Sequence, residues 1–363
     1  MSAVSFRPSQ LTLQWHLSDA CNLRCTHCYQ EDFEPEEFGL AEWLRFLDDY
    51  LAFLAGSGGE SRIGGHINVT GGEPFALRDF PALLDVFAKH RAQFGFAILS
   101  NGTLIDSAVA HRLRKWRPRF VQVSLDGMPV THDRIRGAGS HARAIAGIQA
   151  LLAENIPVLI AFTAQPDNYR EFGEVARLGR ELGVMRVWSD RVIPAAGPEA
   201  VVQTLSREQT AEYLQIMARA QAENQQGGKT ELPLQRALQF LDGGSSIYQC
   251  TAGESLITVM PDGTLYPCRR LPIAAGNVYQ QPLSQLYSGN VMQDVRRPRS
   301  FAGCEDCGFA QVCQGGLRCL AWAVHGSLDQ ADPGCPLARE VAQKGAQEGA
   351  PAVARRIIPI RAA

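Results

Sequence analysis

The chain has ten cysteines in two groups, and nothing else in the sequence constrains it as tightly. Cys21, Cys25 and Cys28 crowd into CNLRCTHCYQ near the start. Cys250, Cys268, Cys304, Cys307, Cys313, Cys319 and Cys335 lie in the last third, and none stands between. Cysteines used only as small core residues would be scattered. The opening MSAVSFRPSQ has neither an apolar run nor a small-residue cleavage site, so no secretory signal is read and a cytoplasmic location is expected. Thiols grouped in such a compartment point to metal rather than to disulfides. No stretch reaches the ~18 apolar residues of a membrane span. A net charge of −2 gives no basic field for nucleic acid or an acidic membrane.

Between the groups, the pattern alternates. LTLQWHLS (11–18), HINVT (66–70), FAILSNG (96–102), FVQVSLDG (120–127), VLIAFTA (158–164) and MRVWSDRV (185–192) read as strands. Helical spacing fills roughly 41–55, 76–94, 104–115, 141–154 and 169–182 between them. Six strand–helix steps imply a parallel α/β sheet with right-handed crossovers, whose ligands sit at the C-terminal strand ends. Residues 206–242 read as a helical bridge with a polar break at QQGGK. From Cys250 onward turns dominate, with a hairpin at LITVMPDGTLYPC turning on Asp262-Gly263. The expected division is 1–205, a bridge over 206–245, a cysteine-rich domain over 246–340, and a tail over 341–363 holding one helix and a loose end.

Structural zinc closes its tetrahedron with four protein ligands, and iron–sulfur cubes usually take four thiolates. The spacing C-x3-C-x2-C supplies three. Three ligands leave one metal corner for a substrate or cofactor. A zinc ion completed by His27 is the competing reading.

The loop resembles that of radical S-adenosylmethionine (SAM) enzymes, which follows the first barrel strand. Here the aromatic residue, Tyr29, follows the last cysteine and His27 precedes it. The resemblance implies a partial (β/α)6 TIM-like barrel and a [4Fe–4S] cluster on Cys21, Cys25 and Cys28. S-adenosylmethionine then chelates the fourth iron through its amine and carboxylate. One electron breaks the S–C5′ bond, and the resulting 5′-deoxyadenosyl radical removes a substrate hydrogen. By the same resemblance, Gly71, Gly72 and Glu73 of GGEP meet the methionyl amine. Ser124 and Asp126 of VSLDG meet the ribose, and Arg136 of HDRIRG meets the carboxylate. Asn101 and Thr163 are further pocket candidates. His16, His66, His90, His111, His141 and His325 have no partner pattern and read as surface or packing residues.

The seven later cysteines, C-x12-G-x4-C followed by C-x2-C-x5-C, resemble the SPASM extension of that family. Two auxiliary clusters are implied: one on Cys304, Cys307, Cys313 and Cys335, the other on Cys250, Cys268 and Cys319. Relatives usually put three residues between the third and fourth cysteines of the central group. Here QGGLR puts five between Cys313 and Cys319. The missing corner of the second set is either open or filled by Asp262 or Glu254.

Many SPASM proteins modify ribosomally made peptides, so a peptide maturase is expected, with flavodoxin or ferredoxin as electron donor. Sulfatase-maturing relatives carry an aspartate where Arg269 stands, which argues against that activity. Only about ten residues precede the first strand, so a separate protein is expected to present any leader peptide. The alternatives are radical modification of a tetrapyrrole or an aminoglycoside-like molecule, and a non-enzymatic iron–sulfur scaffold. Asp190 and Arg191, at the sixth strand end, are weak catalytic candidates.

Overall fold

The computed structural model describes residues 6–28, 30, 33, 38–56, 61–194, 203–225 and 229–339. Six strands run parallel: β1 (Gln10–His16), β2 (Gly64–Thr70), β3 (Phe94–Ser100), β4 (Val121–Ser124), β5 (Val158–Ala164) and β6 (Arg186–Arg191). The helices between them are α1 (Leu40–Ala55), α2 (Phe80–Lys89), α3 (Ser107–Trp116), α4 (Pro129–Arg136), α5 (Ser140–Ala153) and α6 (Phe172–Leu182), and α7 (Arg207–Asn224) follows β6. Two further strands, β7 (Leu256–Val259) and β8 (Leu265–Tyr266), form the expected hairpin. The sheet order is β6-β5-β4-β3-β2-β1-β7-β8.

Alternation sets the two faces of this sheet. Leu11, Leu13 and Trp15 of β1 are fully covered and pack in one core with Trp43, Phe46, Leu47 and Tyr50 of α1. Burial of each such leucine stabilises by roughly 1.5–3 kcal/mol. The intervening residues, Thr12, Gln14 and His16, face away from the helices, as do His66, Asn68, Gln122, Ser124, Thr163 and Trp188. The Trp188 indole N–H donates to Gln122 Oε1 at 3.0 Å across this inner face. The inner face of the barrel is therefore polar. His16 belongs to it, 2% exposed and 3.4 Å from Gln14 Nε2.

Three features depart from the sequence reading. The HDRIRG segment is helical, in α4, started by Pro129 at its first turn. The bridge is helical only as far as Asn224; of the later residues, Gln239–Leu241 form a single 3-10 turn. β7 lies parallel to β1, Thr12 opposite Leu256, so the cysteine-rich region adds its first strand to the barrel sheet. Its sequence neighbours gave no sign of that pairing, because it is made to a strand 244 positions earlier (256 − 12). The expected tail helix lies outside the described residues.

The rest of the C-terminal region is built from short helices: α8 (Leu283–Tyr287), α9 (Asn290–Arg296), α10 (Ala310–Cys313) and α11 (Arg318–His325).

Candidate active site

The first cysteine loop hangs from the ends of β1 and β2. Leu17 N–H donates to Thr70 O at 3.0 Å, Gly72 N–H to Ser18 O at 2.7 Å and Glu73 N–H to Ala20 O at 2.9 Å. A Cβ on Gly72 would sit 2.1 Å from Ala20 O, and Gly71 adopts φ +147°. The glycine pair is thus required by the approach of GGEP to the cysteine loop itself.

All three sulfurs face N–H groups. Leu23 N–H points at Cys21 Sγ (3.4 Å), Gln30 N–H at Cys28 Sγ (3.4 Å), and Arg136 Nη1 at Cys25 Sγ (3.8 Å). Asn101 Nδ2 adds a longer contact to Cys21, at 3.9 Å. Burial pushes each of these thiols up, and a bound metal would reverse that preference. All ten cysteines are free, with no disulfide. Among the described residues no three His, Cys, Asp or Glu side chains converge as they would on a single ion. Three free thiols facing N–H donors fit a thiolate-bound iron–sulfur cube.

Behind the loop stand two buried carboxylates. Glu73 accepts from Ser100 Oγ (2.8 Å), Asn101 N–H (2.8 Å) and Phe75 N–H (3.2 Å), and burial pushes it up to about 7. Its side chain serves the end of β3, which leaves the main chain of Gly71–Glu73 as the part turned to the cysteine loop.

Asp126 corrects an expectation. It is fully buried; Oδ2 accepts from Arg136 Nε at 2.5 Å and lies 3.4 Å from His27 Nε2, and Oδ1 accepts from Thr163 N–H at 2.8 Å. Both oxygens already accept within the protein, which sets Asp126 apart from the ribose contact that the resemblance implies. The Arg136 guanidinium holds this carboxyl below the usual range against the cost of burial. His27 faces Asp126, not the three thiols as a fourth ligand. Ser124 and Thr163 remain on the inner face. Tyr29 lies outside the described residues.

Sequence reasoning missed the supports of this network. His132 Nδ1 accepts Asp126 N–H at 3.1 Å, and Asn168 Nδ2 donates to the carbonyls of Asp126 and Thr163, both at 3.0 Å. Asn168 follows the fifth strand end, where the strand-end rule had the means to find it.

In the C-terminal region, Cys304, Cys307, Cys313 and Cys335 line one cavity, together with Phe240, Phe309 and Asp332. Cys250, Cys268 and Cys319 pack instead in a separate apolar cluster with Leu271, Leu317 and Leu320. The longer QGGLR spacer has a physical reason. Gln314, Gly315 and Gly316 are all left-handed, at φ 52°, 75° and 79°, and reverse the chain between the two sets. A Cβ on Gly315 would meet Phe301 at 2.4 Å. Burial pushes Cys319 up to about 12 and Cys304 and Cys313 to about 11.

Neither oxygen-ligand candidate fits the three-cysteine set. The Asp262 carboxylate closes its own turn, accepting from Thr264 N–H (2.8 Å) and Thr264 Oγ1 (2.7 Å). Glu254 lies beside Tyr287 and Arg296. Tyr248, Arg270, Arg236 and Asp190 all lie within electrostatic reach of members of this set.

Asp190 and Arg191 are both tied up in ion pairs. Asp190 Oδ2 is 2.5 Å from Arg270 Nη1 and 4.0 Å from Arg236 Nε. Arg191 makes a two-pronged, buried pair with Asp332, at 2.8 and 2.5 Å. These bonds join the barrel to the cysteine-rich region.

Comparison with known proteins agrees with this architecture. The radical SAM superfamily profile matches residues 15–179, and the SPASM iron–sulfur cluster-binding domain matches residues 250–308. The chain therefore carries a radical SAM domain and a SPASM domain; iron–sulfur clusters and S-adenosylmethionine are its cofactors. It is similar to the Fe-coproporphyrin III synthase of Methanosarcina barkeri (strain Fusaro / DSM 804), 28% identical, covering 90% of this chain and 88% of that one. It is also similar to the mycofactocin maturase MftC of Mycobacterium ulcerans (strain Agy99), 27% identical over 90% of this chain and 87% of that one. The structure of anSMEcpe with bound AdoMet shares the fold, with TM-score 0.72, 19% identity, and 90% of each chain covered.

Proposed function

We propose that this chain is a peptide-modifying radical SAM enzyme, with Cys21, Cys25 and Cys28 holding the reactive [4Fe–4S] cluster. When bound, that cluster and S-adenosylmethionine supply reductive S–C5′ cleavage and a 5′-deoxyadenosyl radical that takes a substrate hydrogen. The observation that carries the reading is the set of three free thiols, each faced by an N–H donor, at the C-terminal end of β1.

The chain's own residues divide the remaining work. The Gly71–Glu73 main chain takes the methionyl amine, Arg136 the carboxylate, and Ser124 the ribose, with Asn101 and Thr163 on the same rim. Asp126 and His27 orient Arg136 rather than touching the cofactor. Cys304, Cys307, Cys313 and Cys335 hold a closed auxiliary cluster; Cys250, Cys268 and Cys319 hold one with an open corner. Flavodoxin or ferredoxin delivers the electron, and a separate protein presents the leader. The enzyme works in the cytoplasm; no helix among the described residues is long and apolar enough to cross a membrane.

Similarity to mycofactocin maturase supports a peptide substrate. A second reading, a carboxylate-bearing tetrapyrrole, is favoured by similarity to Fe-coproporphyrin III synthase. The test is co-expression with short open reading frames from the same locus, followed by mass spectrometry. A peptide lighter by two hydrogens is expected. Unmodified peptides, together with a mass change in a carboxylate-bearing tetrapyrrole supplied to the reduced enzyme, would replace the first reading with the second.

A further inference from the structure

Arg270 lies where the barrel meets the three-cysteine set. It is in a tight turn closed by Leu271 N–H donating to Cys268 O at 2.9 Å. Its guanidinium spans the gap to β6: Nη1 donates to Asp190 Oδ2 at 2.5 Å, and Nη2 to Arg191 O at 2.6 Å. Asp190 is held in turn, its Oδ1 accepting Arg191 N–H at 3.0 Å. The cation therefore cannot swing away. Cys268 and Cys319 are within its electrostatic reach, and the Arg270 main-chain N–H faces the Cys268 sulfur.

A buried ion pair is seldom worth more to stability than well-packed apolar side chains of the same volume. Placement beside sulfur ligands gives this one a further consequence. Reduction adds an electron to a cluster, and a fixed, partly buried cation beside it favours the added charge. The four-cysteine cavity has Asp332 on its wall, a carboxylate already paired with Arg191.

We propose that Arg270 is a positioning residue that raises the reduction potential of the cluster on Cys250, Cys268 and Cys319, and that Asp190 offsets part of its charge. This rests on the cysteine assignment proposed above.

The test is an EPR-monitored redox titration of the full, anaerobically reconstituted protein, with Cys319→Ala identifying the signal. Arg270→Gln should lower the reduced-to-oxidised ratio at the wild-type midpoint about tenfold, a shift of about 59 mV to more negative potential for one electron. Arg270→Lys keeps the charge and should stay near wild type. Asp190→Asn should move the midpoint the other way. An unmoved midpoint in Arg270→Gln with full iron content overturns the proposal. Should Arg270→Gln lose iron, Asp190→Asn decides, and an unmoved or more negative midpoint there overturns it equally. Failure of the cysteine assignment shows separately, as full iron content in Cys319→Ala.

Discussion

The two cysteine-bearing regions reach similar chemistry by opposite construction. The first loop is hung from parallel strands, and its ties are long-range: Gly72 to Ser18, Thr26 to Ile135, Arg136 to Cys25. The second region has helices of four to eight residues and chain reversals at Gly303, Gln314, Gly315, Gly316 and Gly326. Strand ends fix a loop rigidly but leave its outer side open, which suits three thiols and an incoming cofactor. Turns wrap a chain around an object, which suits four thiols lining one cavity.

Where the regions join, the comparison can be broken most severely. Asp332 pairs with Arg191 and also accepts Leu317 N–H (3.0 Å) and Gly334 N–H (2.9 Å). Asp332→Ala strands a buried guanidinium, so a loss of about 3–5 kcal/mol is expected in chemical unfolding. A loss under about 1 kcal/mol, the range of exposed pairs, would mean that the two regions are not coupled through this bond.

A smaller effect sharpens the barrel side. Glu73 rises from 4.5 to about 7 in the folded protein. The folded state therefore binds this proton more tightly than the unfolded chain. The contribution is full below the unfolded value and is lost as pH rises through the folded one. Glu73→Gln has no such proton. Its melting temperature, measured against wild type, should gain between about pH 5 and about pH 8; parallel profiles would show that Glu73 is ionised throughout.

The same contrast explains how much was legible. Strand–helix alternation is a local periodic signal, and five helices and six strands fell close to their expected places. α4 was missed because HDRIRG is too polar to show an apolar face. The C-terminal region has almost no periodicity to read, so only its cysteines and the Asp262-Gly263 turn stood out. The inner-face placement of Thr163 and Ser124 was legible from strand-end position. The inward turn of Asp126 was not, since it depends on Arg136 and Thr163 arriving from other elements. β7 beside β1 was hidden for the same reason.

The most direct measurement of the central claim is 5′-deoxyadenosine formation by Cys25→Ala, reconstituted anaerobically and reduced with S-adenosylmethionine present. An iron cube bound at a three-thiol loop predicts none above background, while Cys313→Ala still forms the product. Wild-type turnover by Cys25→Ala would contradict the account.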